Sequence, residues 1–215
     1  MNVITFASRK GGSGKSTLVA HLASLAERPG HHVLVIDADP QGSLKVWDEL
    51  REAEVPVIVV AGSRSVGDAV KQARKDGYEW VFIDTPPNNS TPVVDAIKAA
   101  TLVVVPTRPA VFDLAAVKDT IELARGAKKP YAVVINSAPP KREDVEAPAV
   151  VSARESLKEV KAPVWSGQIT SRSALSLALA EGEGAREYQA SSLAAQEIAK
   201  LWHALQRSVR AVHEG

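Results

Sequence analysis

A chain of 215 residues, 45% hydrophobic and 24% charged, has the size and composition of one globular domain with a full core. Its 26 Lys+Arg against 25 Asp+Glu leave a net charge of +1, so any binding to nucleic acid must come from a local basic patch. With no cysteine, a disulfide framework and a thiolate metal site are both excluded.

The chain enters a strand at once. Val3-Ile4-Thr5-Phe6-Ala7 is apolar and β-prone, with no basic leader or signal-like apolar stretch before it. No later run approaches the roughly 20 apolar residues of a membrane span. A soluble, cytoplasmic protein is the expectation. Next comes Ser8-Arg9-Lys10-Gly11-Gly12-Ser13-Gly14-Lys15-Ser16-Thr17, and then Leu18 to Leu25 with apolar residues at helical spacing. Strand, glycine-rich turn and helix start, in that order, form the setting of a phosphate-binding loop. Glycines let successive N–H groups turn inward toward phosphate oxygens, and the helix N-terminus adds partial positive charge. In that reading Lys15 reaches the β- and γ-phosphates and the Ser16 hydroxyl joins the shell of Mg²⁺. One departure stands out: Arg9 occupies the position where the standard pattern has glycine, and Lys10 follows it.

Residues 31–36 form an apolar strand ending at Asp37, and Asp37-Ala38-Asp39-Pro40-Gln41-Gly42-Ser43 follows. Runs at 55–61, 80–83, 101–106 and 131–136 are also short and β-branched rather than alternating, as in strands covered on both faces. Helical stretches are expected at 65–76, 91–99, 112–125 and 147–160. This alternation predicts an α/β fold, a doubly wound, mostly parallel sheet flanked by helices, with ligands bound beyond the carboxyl ends of the strands. Val81-Phe82-Ile83-Asp84-Thr85-Pro86-Pro87 is an apolar strand ending in an acid, and Asp84 is placed to hold Mg²⁺ through water. Ser90 or Thr91 is a candidate cap for the helix that follows. The loop from Ser137 to Ala147 is the most irregular segment. From Tyr188 to Val212, Ala194, Ile198, Leu201, Leu205 and Val209 make one apolar stripe, with Lys200, Arg207 and Arg210 outside it. Residues 1–215 read as a single domain.

The pattern Lys-Gly-Gly-x-Gly-Lys-[Ser/Thr] resembles the deviant Walker A loop of the ParA/MinD family of P-loop ATPases. The segments at Asp37 and Asp84 fall in that family's order and spacing, so the likeness covers the first 90 residues closely. It implies that ATP and Mg²⁺ are the ligands. Lys10, Gly11, Gly12, Ser13, Gly14, Lys15, Ser16 and Thr17 then form the nucleotide loop, and Ser16, Asp37 and Asp84 attend the metal. Asp37 would belong to the metal's shell or buttress Lys15, and Asp39 would orient or deprotonate the attacking water. Lys10 would reach across a nucleotide-sandwich homodimer to the partner's phosphates. Farther along, Asn136 lies where related ATPases often contact the adenine edge. Pro106 to Pro109 with Phe112-Asp113 resembles a segment at or near the dimer face. Ile169-Thr170-Ser171-Arg172 is similar to a stretch whose arginine binds DNA, and Lys141, Arg142, Arg186, Lys200, Arg207 and Arg210 are weaker candidates for that surface.

Only nine residues precede Lys10, so the helix-turn-helix domain of larger ParA proteins is not expected. The basic tail after Trp202 is poor in bulky apolar residues, which argues against membrane anchoring. The resemblance is thus to small ParF-type partition ATPases. It implies a nucleoid-associated ATPase that dimerises with ATP, binds DNA nonspecifically, answers to a ParB-like centromere-binding or cargo-adaptor protein, and positions a plasmid, chromosome or protein cluster. The alternatives are a MinD-like ATPase acting at a membrane and a metabolic P-loop kinase. The kinase leaves Lys10 without a role.

Overall fold

The computed structural model describes every residue except 62–64, 89 and 215, and also leaves the side chains of 111, 112 and 115 undescribed. The expectation for Phe112 therefore lies outside the described side chains. In chain order the elements are β1 (Asn2–Phe6), α1 (Lys15–Ala26), β2 (Val33–Asp37), α2 (Ser43–Leu50), β3 (Val57–Val60), α3 (Val66–Lys75), β4 (Trp80–Asp84), α4 (Thr91–Ala99), β5 (Leu102–Thr107), α5 (Val111–Gly126), β6 (Tyr131–Ile135), α6 (Pro148–Glu159), α7 (Ser173–Ala180), α8 (Ala185–Tyr188) and α9 (Leu193–Glu214). The six strands form one sheet in the order β3-β2-β4-β1-β5-β6, with every pairing parallel.

The strands read as continuous apolar runs because each face of the sheet is covered. Ile4, Phe6, Val33, Val35, Trp80, Phe82 and Val104 belong to a core shared with α1 and α9. Their neighbours Val3, Leu34, Ile36, Val81, Ile83, Val103 and Val105 pack on the other face against α3, α4 and α5. The stripe foreseen on the C-terminal helix is the buried face of α9. Trp202 meets Trp80 edge-on at 4.7 Å and Phe82 at 5.7 Å. Burial of each such ring contributes about 2–3 kcal/mol.

Two local expectations need correction, and two helices were not foreseen. The C-terminal helix starts at Leu193 rather than near Tyr188, where the short α8 ends and Gln189 turns extended at φ −155°. The helices α2 and α7 had no sequence signal, since neither start carries a side-chain cap. The amide of Leu44, in the first turn of α2, instead donates to the Asp37 carboxylate at 3.2 Å, a partner seven residues upstream. Ser90 holds the cap position of α4, but among the described residues its hydroxyl caps nothing and is buried without a partner.

Beyond β6, residues 163–171 continue alongside the sheet edge through bridges at Val133–Val164 and Ala138–Thr170. Among the described residues, no helix is long and apolar enough to cross a membrane.

Candidate nucleotide site

The loop between β1 and α1 rises at the carboxyl end of the sheet's centre, flanked by β4 and β5. Gly12 and Gly14 adopt φ of +70° and +89°, the left-handed region that side-chain-bearing residues avoid. At Gly14 a second constraint applies, because a Cβ there would stand 2.0 Å from Nδ2 of Asn136. Lys15 is buried, with Nζ 3.5 Å from the Ser8 carbonyl. Burial pushes its pKa down, while Asp84 and Asp39 pull it back up. A cleft of about 360 Å³ opens over the loop, lined by Gly11, Gly12, Gly14, Lys15, Ser16 and Thr17. Asp39, Gln41, Ser43 and the apolar side chains Trp47 and Leu179 also line it.

Two carboxylates sit beneath that cleft. Asp37 and Asp84 end adjacent strands and are register partners, both fully buried. The Ser16 hydroxyl donates to Asp84 Oδ2 at 2.5 Å, and Asp84 Oδ1 is buried without a hydrogen-bond partner among the described residues. Burial raises the Asp84 carboxyl to about 7, with Asp37 and Asp39 adding repulsion against the Ser16 bond and the Lys15 charge. Burial also raises Asp37, whose oxygens accept from the amides of Asp39 at 3.1 Å and Leu44 at 3.2 Å. A raised, half-satisfied carboxylate beside a hydroxyl fits a hard cation that takes oxygen ligands. Among the described residues no three acidic or histidine side chains converge on one point. A short donor set suits Mg²⁺, which retains waters and takes further oxygens from substrate phosphates. Asp39 lies at the cleft edge, and its carboxylate accepts the nearby Gln41 amide at 3.0 Å.

Other predicted residues fall around this centre. Lys10 is half-buried, and no ion pair holds its amine among the described residues. Asn136 is buried under the loop, where Nδ2 donates to the Ser13 carbonyl at 2.8 Å, so its visible work is to brace the loop. Ser13 is buried as well, its hydroxyl unpartnered among the described residues. Arg172 stands apart from the cleft. Its Nη2 binds Glu197 of α9 at 2.9 Å, and that carboxylate also takes the amide and hydroxyl of Thr170. Arg172 lines a separate cleft of about 520 Å³ together with the cations Lys141 and Lys200 and the acids Glu143, Asp144 and Glu197.

Two further arginines flank the loop; the sequence puts Arg9 in the loop and Arg108 in the segment likened to a dimer face, but the ion-pair partner of neither was foreseen. Arg9 pairs with Asp119 of α5, and its amide donates to Thr120 Oγ1 at 3.4 Å. Arg108, just past β5, grips Asp113 of α5 through Nε at 2.5 Å and Nη2 at 3.2 Å. Charge and spacing could suggest the second pair, five residues apart; the first spans 110 residues and leaves no local trace.

The model of the CobQ/CobB/MinD/ParA nucleotide binding domain matches residues 4–185. The maintenance of carboxysome distribution protein A of Gloeobacter kilaueensis is 35% identical over 131 residues, 57% of this chain and 56% of that protein. Protein ParA of Rhizobium radiobacter is 37% identical over 117 residues, 53% of this chain and 51% of the relative. The chain thus spans about half the length of these curated relatives. Among solved structures, the septum site-determining protein MinD of Pyrococcus horikoshii, complexed with Mg-ADP, superposes with a TM-score of 0.75 at 19% identity. That alignment covers 98% of each chain, a likeness of fold.

Proposed function

The chain belongs to the CobQ/CobB/MinD/ParA nucleotide-binding family, and from that premise we propose that residues 1–215 act as one ATPase domain. It dimerises on ATP, binds DNA without sequence preference, and positions a cargo over the nucleoid in the cytoplasm. The observation that carries this reading is the convergence of buried Lys15, the Ser16–Asp84 bond and the open Asp84 Oδ1 under a glycine loop with two left-handed residues. Lys15 meets the β- and γ-phosphates, and the amides of residues 11–17 cradle them. Ser16, Asp37 and Asp84 would hold Mg²⁺, which when bound neutralises charge developing on the phosphoryl oxygens. Asp39, at the cleft edge, orients the attacking water. The amine of Lys10, unpaired among the described residues, suits a contact made only when a second copy faces the loop. Asn136 holds the loop in shape at the side where the base would enter. The names of the relatives, which speak of carboxysome distribution and of ParA, favour a plasmid, chromosome or protein cluster as cargo and a ParB-like or adaptor protein as the stimulating partner.

Membrane attachment is the weaker reading, since the apolar face of α9 is committed to the core and its outward residues include Lys200, His203, Arg207 and Arg210. For DNA, Arg172 lies with Lys141 and Lys200 on one surface that also carries Glu143, Asp144 and Glu197, and an ATP dimer would present its cations twice. The deciding experiment is retention on nonspecific duplex DNA with ATP, ADP or no nucleotide, at two salt concentrations. Binding is expected with ATP alone and should weaken steeply as salt rises. Lys15→Ala should lose both nucleotide and DNA. Arg172→Glu should lose DNA while keeping ATP-driven dimerisation, which serves as its folding control. Equal retention in all nucleotide states would end the dimer-gated reading.

A further inference from the structure

The Arg108–Asp113 pair has a geometry that an ordinary helix-capping ion pair does not require. Asp113 is 3% exposed and sits in the first turn of α5, where its charge already suits the helix N-terminus. Arg108 approaches it side-on, with Nε and Nη2 on the two carboxylate oxygens. Because a guanidinium is planar, this two-point grip fixes the direction of the third nitrogen. That nitrogen, Nη1, has no hydrogen-bond partner among the described residues, and it lies 4.0 Å from where a Cβ on Gly12 would stand. Gly12 is exposed, has no side chain and lines the phosphate cleft. The free edge of Arg108 is therefore held against the rim of the nucleotide loop, with the Arg108 side chain 40% exposed.

We propose that Arg108 is a phosphate-contacting residue, clamped by Asp113 so that Nη1 meets an oxygen of a nucleoside triphosphate at the loop. The inference rests on the nucleotide-site reading above and adds a cation to it. Lys15 works from beneath the loop, whereas Arg108 works from the β5–α5 side. Clamping lowers the entropic cost of ordering a long side chain for one hydrogen bond. The negative charge of Asp113 offsets part of the attraction, so the contact supplies about a tenfold effect rather than the larger one of an unpaired buried arginine. The triphosphate can be the chain's own or that of a facing second copy, and the two sources give different readouts.

The test compares wild type, Arg108→Lys, Arg108→Ala and Arg108→Ala/Asp113→Ala. The double variant removes the orphaned carboxylate that would otherwise confuse lost function with lost stability, and urea unfolding checks each fold. Affinity for a fluorescent ATP analogue is measured at protein concentrations too dilute for association, with the matching ADP analogue alongside. Self-association on MgATP is measured by sedimentation. If Arg108 contacts the chain's own triphosphate, dilute affinity for the ATP analogue falls about tenfold in both alanine variants. If it contacts the partner's, dilute affinity holds while MgATP-driven association falls about tenfold. Arg108→Lys should recover part of whichever quantity falls, since charge remains without the fork. Affinity and association both within twofold of wild type, in a folded double variant, would overturn the proposal and leave the pair purely structural. The nucleotide-site reading fails differently: wild type would then bind the analogue no better than Lys15→Ala, and both readings would fall together.

Discussion

Gly14→Ala tests the loop at the point where its geometry is most demanding. Two costs follow from the geometry of the loop. An alanine at φ +89° occupies the left-handed region, which costs about 1–2 kcal/mol. Its Cβ would stand 2.0 Å from Asn136 Nδ2, far inside contact distance, so Asn136 must withdraw and release the buried Ser13 carbonyl. Losing that bond between buried groups costs a further 1–3 kcal/mol or so, for a sum of about 3 kcal/mol. Gly11→Ala is the control in the same loop. No atom lies within 4 Å of its Cβ position and its φ is not positive, so a change within about 0.5 kcal/mol is expected. Urea unfolding followed by fluorescence of the four tryptophans measures both. A double-mutant cycle isolates the clash. In an Asn136→Ala background, Gly14→Ala should cost only the backbone part, giving a coupling of about 1–2 kcal/mol. Equal costs at Gly11 and Gly14, or a cycle with no coupling, would refute the assigned packing of loop and Asn136. Nucleotide affinity should fall with Gly14→Ala and hold with Gly11→Ala.

The buried imidazole of His21 supplies a pH prediction. Burial lowers it from 6.5 to about 4, so between those values only the unfolded chain takes up its proton, and its contribution is lost as pH falls from 6.5 toward 4. At pH 5 the loss is about 2 kcal/mol; Asp84, raised to about 7, gains protons on folding and acts in the opposite sense. The comparison is therefore the wild-type-minus-His21→Gln difference at pH 7.5 and pH 5, without nucleotide. A difference that moves by less than about 0.5 kcal/mol would show His21 to be solvated. Asp39→Ala should bind MgATP as wild type does and accumulate as a dimer, with turnover reduced on the order of a hundredfold or more. Normal turnover by a monomeric Asp39→Ala protein would remove Asp39 from the reaction.

What the sequence determined by itself is the part of the protein built from local repetition. Apolar runs such as Val33 to Ile36 and Val81 to Ile83 specify strands covered on both faces, and the stripe from Ala194 to Val209 specifies a face, because burial periodicity is written residue by residue. The phosphate loop was equally legible, since a strand, a glycine turn and a helix start are contiguous and each glycine answers a local backbone demand. Tertiary structure alone decided whatever depends on partners far away in the chain. The start of α2 is capped by Asp37 across the turn, and the end of α8 is set by an extended residue with no pattern around it. Asn136 could be read as a turn former or a base contact, and only the fold brings it beneath Ser13, 123 residues away. Arg172 and Arg108 are identical in isolation. Glu197 holds the first against α9, and Asp113 aims the second at Gly12. A guanidinium's role is set by which of its five donors are already taken, and that count exists only once the chain has folded.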